Sequence, residues 1–250
     1  MLIVKLHAVV LVMLANAGML AAVPAGAQNR DALRQIVQER CAPHWLQAHD
    51  PAPCERVYLL DAQHDGYAVL ADRKGGAHFL LIPTRAISGI ESPEVLKSQA
   101  LNYFAAAWQA RDRISAFVGH EMARGYVGMA VNPEHGRGQD QLHIHIECLG
   151  QSVYDALHAN ADLPTDRWSA LELAQGRYYG LRVMGDDLGR TDPFALLADL
   201  MPDARDDMGA YTLLLAGMQF KQGPGFLLLA GKSVPGAETL LDSTCAVARR

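Results

Sequence analysis

The segment of residues 141–148 constrains the fold more than any other stretch, because its polar and apolar residues alternate without a break. Successive side chains of a β-strand point to opposite faces of the sheet, so this alternation predicts a strand with one face in the core. The apolar set consists of Leu142, Ile144, Ile146 and Cys148. The polar set consists of Gln141, His143, His145 and Glu147. The chain is therefore expected to build a sheet that carries two imidazoles on one surface.

Hydrophobic periodicity and turn residues predict the elements around this strand. Helices are predicted for residues 31–40 and 98–118, and a third begins at Pro193, with Asp192 as its N-cap, and reaches about Leu200. Loops are predicted for residues 42–53 and 132–140. Further strands are predicted at residues 66–70, 78–82, 126–131, 178–184, 212–220 and 226–230, of which the last two form a hairpin.

These elements predict the α+β class. We expect an antiparallel sheet with the helix of residues 98–118 packed on it, extended by C-terminal α+β elements. No segment of linker composition separates the two halves, so residues 28–250 are expected to form one unit. The net charge of −5 comes without a basic stripe, and nucleic acid is therefore excluded as the main partner.

The N-terminal segment has the pattern of an export signal. Lys5 precedes an apolar run over residues 6–23, and a small-residue tripeptide ends at Ala27. This pattern predicts a secretory signal peptide over residues 1–27, cleaved after Ala27. The alternative is an uncleaved membrane anchor, for which the apolar run is long enough. Either interpretation places the remaining chain outside the cytoplasm.

Four cysteines follow the predicted signal, namely Cys41, Cys54, Cys148 and Cys245. An even number of cysteines in an oxidising compartment indicates two disulfides, for which three connectivities exist. We favour Cys41–Cys54, which closes a short polar loop, and Cys148–Cys245, which ties the end of the chain to its centre. A zinc site is the alternative, but the sequence contains no CxxC pair.

The two histidines of the alternating segment allow three interpretations. The first is a half-exposed strand that carries two histidines without a function. The second is a metal site, which would need a third ligand from His135, His78 or Glu147; by itself, His78 is interpreted as an ordinary strand residue. The third is nucleophilic attack by a neutral imidazole on phosphorus.

The loop before this strand supports the third interpretation. Gly136 and Gly138 allow backbone N–H groups to approach an anion closely, and Arg137 could bind phosphate oxygens with two parallel hydrogen bonds.

A family resemblance favours the phosphorus chemistry. Residues 130–132, 136–139 and 143–146 look like the histidine-triad signature, and residues 78–83 resemble the strand-and-proline entry of that fold. Within that superfamily the chain most resembles the CDP-diacylglycerol pyrophosphatases of bacterial envelopes. That resemblance is carried by residues 33–37, 51–54, 103–104, 107–112, 193–194, 202–205 and 208–209 and by the four cysteines.

The resemblance implies roles for particular residues. His143 takes the place of the nucleophile, and His145 that of the histidine that contacts the phosphoryl group, with Gln139 as a third member of the catalytic set. Asn132 and Gln139 occupy places where the family binds the ribose and phosphate of the nucleotide. The expected substrate-binding residues are Asn132, Arg137 and Gly138 of the loop, and Gln141. Gln141 departs from the family pattern, because it stands where the first triad histidine is expected.

The resemblance also implies a substrate and a location. The expected reaction hydrolyses CDP-diacylglycerol to CMP and phosphatidate through a covalent nucleotidyl-histidine, without a metal or other cofactor. The expected partner is this nucleotide-lipid at the membrane surface, and the expected location is the periplasm or the periplasmic face of the inner membrane. The alternatives are an exported histidine-triad hydrolase of a soluble nucleotide pyrophosphate and a non-catalytic exported metal- or ligand-binding protein.

Overall fold

A computed structural model describes residues 29–60, 65–97 and 99–249 of the chain. The predicted signal or anchor over residues 1–27 lies outside these residues. The helices are α1 Ala32–Ile36, α2 Ala42–Ala48, α3 Tyr103–Gln109, α4 Asp112–Val118, α5 Gln151–Ala159 and α6 Pro193–Leu200. The strands are β1 Arg56–Leu59, β2 Gly66–Ala71, β3 Phe79–Pro83, β4 Val127–Val131, β5 Ile144–Leu149, β6 Ser169–Leu173, β7 Gly176–Met184, β8 Tyr211–Phe220, β9 Gly223–Lys232 and β10 Leu241–Asp242.

The ten strands form one antiparallel sheet, which confirms the α+β class. Its order is β1-β2-β3-β5-β4-β8-β9-β7-β6, and β10 pairs with the end of β5. The alternating segment thus supplies a central strand, with β3 on one side and β4 on the other. His145 lies opposite Leu80 on β3 and opposite Ala130 on β4, so these three side chains share one face of the sheet.

The other face of the sheet carries the largest core and is covered by α3, α4 and α6. Ile144 and Ile146 of β5 are fully buried in this core, as the alternation predicts. The rings of Trp108 on α3 and Phe226 on β9 pack edge to face, with their centroids 4.9 Å apart. Burying a large apolar side chain contributes roughly 1.5–3 kcal/mol, so this face supplies most of the hydrophobic stabilisation.

The face that carries His145 has two smaller apolar clusters instead of one. The N-terminal helical segment, residues 32–48, packs Val37 and Cys41 over β1, β2 and β3. Helix α5 and the first part of the C-terminal segment, residues 233–248, pack over β4, β8 and β9, with Val153 and Leu157 buried there. The end of that segment packs Cys245 and Val247 into the core on the opposite face. The strip of sheet between the two clusters is polar.

One predicted loop contains a helix, and one predicted helix begins later than expected. Residues 42–53 were expected to form a loop, but α2 occupies Ala42–Ala48, and a π-helical turn at Val37–Cys41 joins it to α1. The wider π turn accommodates Pro43, whose ring would clash with the carbonyl four residues earlier in a regular α-helix. The predicted helix of residues 98–118 begins only at Tyr103, where Asn102 caps it by accepting from Ala105 N–H at 2.9 Å.

That same helix is also interrupted. It breaks between α3 and α4 at Arg111, whose side chain donates to the Trp108 carbonyl at 2.6 Å. In contrast, α6 begins at Pro193 and ends at Leu200, and Asp192 caps it as predicted by accepting from Phe194 N–H at 2.9 Å.

Two disulfides connect the chain ends to the sheet. Cys41 of the N-terminal helical segment is bonded to Cys54, just before β1, and Cys148 of β5 is bonded to Cys245. This is the pairing favoured above. Among the described residues, no helix combines the length and apolarity that crossing a membrane requires.

Replacement of both Cys148 and Cys245 by serine is expected to destabilise the fold more than the same replacement of Cys41 and Cys54. The two bonds join residues 97 and 13 positions apart. Loop-closure entropy then contributes about 4.7 kcal/mol to the free energy of unfolding for the long loop and about 3 kcal/mol for the short one. Urea unfolding of the two double variants measures this difference, and an equal or reversed loss would contradict it.

Candidate functional site

The polar strip consists of buried side chains from three adjacent strands and their ends. His143 is the residue before β5, and His145 and Glu147 lie on β5. His78 is the residue before β3, and Asn132 is the residue after β4. All five are less than 10 % exposed. The polar face of the alternating segment is therefore buried, because the N-terminal helical segment and the C-terminal segment cover it on either side. The strand itself also begins later than predicted, at Ile144.

A cavity of about 280 Å³ opens over this strip, between the two covering segments. One part of its wall is apolar and comes from the N-terminal helical segment and from β2 and β3. The remaining wall is polar and comes from strand ends and loops. The lining residues are Ala32, Leu33, Ile36, Leu70, Asp72, Arg73, Lys74, Leu80, Asn132, Gly136, Gly138, Gln139, His143, His145 and Glu238.

The ring of His143 is held by the backbone. Its Nδ1 lies 2.7 Å from the Gln141 carbonyl oxygen, which can only accept a hydrogen bond, so Nδ1 carries the proton. The lone pair of the neutral ring then lies on Nε2. Burial lowers the pKa of His143, which keeps the imidazole neutral near pH 7. A neutral imidazole with a free Nε2 is the form that can attack an electrophile.

His145 is linked to a second histidine and two carboxyl groups. Its Nδ1 lies 3.0 Å from His78 Nε2, and its Nε2 lies 3.1 Å from Glu238 Oε2. His78 Nε2 is also 3.2 Å from Glu147 Oε1. Burial lowers the pKa of both imidazoles, and it raises the pKa of Glu147 to about 8. His78, interpreted above as an ordinary strand residue, is thus in direct contact with His145.

Two of the expected substrate-binding side chains do not line the cavity. The Arg137 guanidinium donates to both oxygens of Glu91, at 2.7 and 2.8 Å, and to Asp140 at 3.4 Å. Gln141 is fully buried, and its amide nitrogen donates to the carbonyls of Pro83 and Arg85 at 3.0 and 2.8 Å. Both side chains hold the loop before β5 to neighbouring loops.

Three other expected residues do line the cavity, but two of their side chains already have protein partners. Gln139 accepts from Leu33 N–H at 3.0 Å and donates to the Asn29 carbonyl at 2.9 Å, which fixes the start of the N-terminal helical segment. Asn132 accepts from Glu238 N–H through Oδ1 at 3.3 Å, which leaves its amide N–H groups as donors. Gly138 contributes backbone only.

Several lining residues were not predicted from the sequence. Arg73 and Lys74 lie in the turn between β2 and β3, next to Gly75, and bring two exposed cationic side chains to the cavity. Gly75 and Gly76 are typical of a turn, and the two cations beside them were the available signal. Glu238 comes from the C-terminal segment and has no sequence pattern that connects it with His145.

One group of side chains in the described part of the chain has the composition and spacing of metal ligands. It consists of His78, His145 and Glu147, whose ligand atoms all lie within 4.8 Å of one another. His143 is not a member, because its Nδ1 is bonded to the backbone and its ring faces the cavity.

The fold and the site define an antiparallel α+β protein with a buried, neutral imidazole whose ring lines a cavity. Comparison with known proteins gives the family, since residues 28–249 match the one described as CDP-diacylglycerol pyrophosphatase. A Yersinia pestis protein of that name is 41% identical over 227 residues, covering 88% of this chain and 85% of that protein. The chain belongs to the CDP-diacylglycerol pyrophosphatase family, as its resemblance indicated.

The variant Gln141→Met is expected to lose stability and to bind substrate less well. The change keeps the side-chain volume but leaves the Pro83 and Arg85 carbonyls unpaired, which costs roughly 1–3 kcal/mol. It also loosens the segment whose carbonyl holds the His143 ring. Urea unfolding and steady-state kinetics measure both effects.

Gln38→Met is the matched control, because exposed Gln38 donates to the Thr84 carbonyl of the same loop from outside. The free energy of unfolding of the Gln38→Met variant should fall by no more than about 0.5 kcal/mol. Equal losses in the two variants would show that Gln141 has no special role.

Proposed function

We propose that this protein hydrolyses CDP-diacylglycerol to CMP and phosphatidate through a covalent nucleotidyl-His143 intermediate, as a step of phospholipid metabolism. Membership of the CDP-diacylglycerol pyrophosphatase family supports the substrate. The observation that carries the mechanism is the hydrogen bond from His143 Nδ1–H to the Gln141 carbonyl, which leaves a neutral ring with its lone pair on Nε2 at the cavity.

The reaction then consists of two displacements at one phosphorus. His143 Nε2 attacks the phosphorus bonded to the cytidine ribose, and the bridging oxygen leaves with its electron pair as phosphatidate. Water next attacks the same phosphorus, the bond to Nε2 breaks, and CMP is released with the neutral imidazole restored. The oxygen of water ends on CMP, and one proton is released near neutral pH.

The transferred phosphoryl group needs donors that offset its negative charge. We assign this role to His145 through Nε2–H and to the backbone N–H of Gly138, both at the cavity wall. Asn132 is assigned to the nucleotide through its free amide N–H groups. Gln139 and Arg137 act as positioning residues, because the first holds the N-terminal helical segment and the second holds the loop.

The second phosphate of the substrate requires positive charge that His143 and His145 do not provide. Arg73 and Lys74 line the cavity, and no ion pair to either is found among the described residues. We assign both to the phosphate that leaves with the lipid. A cavity of about 280 Å³ is too small for two acyl chains as well as a nucleotide, so we place the chains outside it, toward the membrane.

Two further features support a location in the cell envelope, in the periplasm or at the periplasmic face of the inner membrane. Both disulfides are formed, which requires an oxidising compartment in most bacteria. The apolar run at residues 6–23 follows Lys5 as in an export signal or anchor.

A hydrolase of a soluble nucleotide pyrophosphate would use the same imidazoles. A panel that compares CDP-diacylglycerol with a water-soluble CDP ester at equal concentration separates the two activities.

The His143→Ala variant is expected to lose turnover and to form no covalent intermediate. Rapid-quench mixing with CDP-diacylglycerol labelled on the cytidine-linked phosphorus should attach the label to the unchanged protein and not to the variant. His145→Ala should retain the intermediate but turn over about 10²–10³ times more slowly, because it loses one donor to the phosphoryl oxygens.

His135→Ala is the control for that experiment, since His135 is exposed in the neighbouring loop and does not line the cavity. It should keep full turnover and labelling. A folded His143→Ala protein with near-normal turnover would refute the nucleophile.

The Lys74→Ala variant is expected to raise KM for CDP-diacylglycerol roughly fivefold and to change kcat little. An exposed ammonium near a phosphate contributes about 1 kcal/mol to binding, and salt screens this contribution. Kinetics at low and high salt should therefore show a smaller effect at high salt. Lys221→Ala removes an equally exposed lysine from the turn between β8 and β9 and should leave KM unchanged.

A further inference from the structure

Two imidazoles and one carboxyl group converge beside the proposed nucleophile without including it. His78 Nε2 is 3.0 Å from His145 Nδ1 and 3.2 Å from Glu147 Oε1, and all three ligand atoms lie within 4.8 Å of one another. Zinc bonds to such atoms at about 2.0–2.2 Å in tetrahedral geometry, which separates neighbouring ligand atoms by roughly 3.3 Å. We propose that His78, His145 and Glu147 bind one divalent transition-metal ion of the zinc class.

The sheet holds these three groups in place. Phe79 pairs with Ile146 across β3 and β5, so the preceding His78 lies beside Glu147 on the same face. His145 precedes Glu147 by two positions and also lies on that face. The site therefore does not depend on a flexible loop, and small rotations of the side chains are enough to bring three ligands onto one ion.

The groups behind the imidazoles also match those of a metal site. Histidine ligands usually present their second ring nitrogen to a carboxylate, which fixes the ring and its tautomer. Here the Nε2 of His145 is 3.1 Å from Glu238 Oε2, and the Nδ1 of His78 is 3.8 Å from Asp72 Oδ1. Each imidazole thus has one nitrogen toward the proposed ion and a carboxylate near the other, although neither contact has the geometry of a hydrogen bond.

The carboxyl groups of the site favour a cation, although the exposed Arg73 and Lys74 line the same cavity. Glu147 is buried, and among the described residues no lysine or arginine forms an ion pair with it. Asp72 and Glu238 add two carboxyl groups nearby, and both line the cavity that would admit the ion. A carboxylate and two neutral imidazoles form a common ligand set for zinc, in which the fourth position is left for water.

The site is separate from the nucleophile in this arrangement. His143 offers no ligand, because its Nδ1 donates to the Gln141 carbonyl. An ion bound at His145 Nδ1 leaves the proton of that ring on Nε2. The same tautomer of His145 is present without the ion when His78 Nε2–H donates to His145 Nδ1. The metal proposal therefore does not rest on the proposed hydrolysis, and the two can fail independently.

Titration of the whole protein with Co²⁺, after treatment with a chelator and dialysis, tests the proposal directly. We expect one Co²⁺ per chain with visible absorption bands of four-coordinate cobalt, displacement by one Zn²⁺, and a thermal midpoint that rises with Zn²⁺ concentration. His78→Ala and the isosteric Glu147→Gln should each weaken binding at least tenfold. His143→Ala should bind as tightly as the unchanged protein.

The possible results separate the two proposals. Absence of stoichiometric binding, or equal binding in folded Glu147→Gln and His78→Ala proteins, would overturn the metal site without affecting the proposed hydrolysis. Turnover that persists in excess chelator is expected, because His143 supplies the nucleophile. If the protein binds one ion at these residues but forms no cytidylyl-enzyme with or without it, the metal site stands and the proposed mechanism falls.

Discussion

Burial of the polar strip on one face of the sheet is the constraint on which the site depends. An imidazole or carboxyl group taken out of water costs several kcal/mol unless it stays neutral or finds partners. His143 meets this condition with the Gln141 carbonyl, and His145 meets it with His78. The contact with the Gln141 carbonyl also fixes the proton of the His143 ring on Nδ1. The reactivity proposed for His143 is thus a consequence of the way its burial is compensated.

The sheet makes this burial possible because its two faces are covered differently. Helices α3, α4 and α6 cover one face with a continuous apolar core. The other face has two apolar clusters, and the polar strip lies between them. A residue change that joined the two clusters, by making the strip apolar, would add hydrophobic contact but would remove the site. The divided core therefore leaves room for the proposed site at the expense of hydrophobic contact.

The alternation of residues 141–148 predicted which side chains share a face, since strand period is a local property. It correctly placed His143 and His145 together and Ile144 and Ile146 in the core. It did not predict that the polar face is buried, because the covering segments come from the two ends of the chain. The expectation that Arg137 would meet phosphate rested on its neighbouring glycines, whereas its position depends on Glu91, which is remote in sequence. Local patterns thus predicted the strands and the shared face of the two imidazoles. The position of the Arg137 side chain depends instead on its long-range ion pair with Glu91.

Two parts of the cavity wall come from segments near the two ends of the described chain, and each segment is held by a disulfide. The Cys41–Cys54 bond holds the N-terminal helical segment, which supplies Leu33 and Ile36, against β1. The Cys148–Cys245 bond holds the C-terminal segment, which supplies Glu238, against β5. Terminal segments are the parts of a domain that open most easily, because few contacts on one side retain them. The disulfides therefore act less on the sheet, which its ladders and core stabilise, than on the two segments that keep the imidazoles out of water.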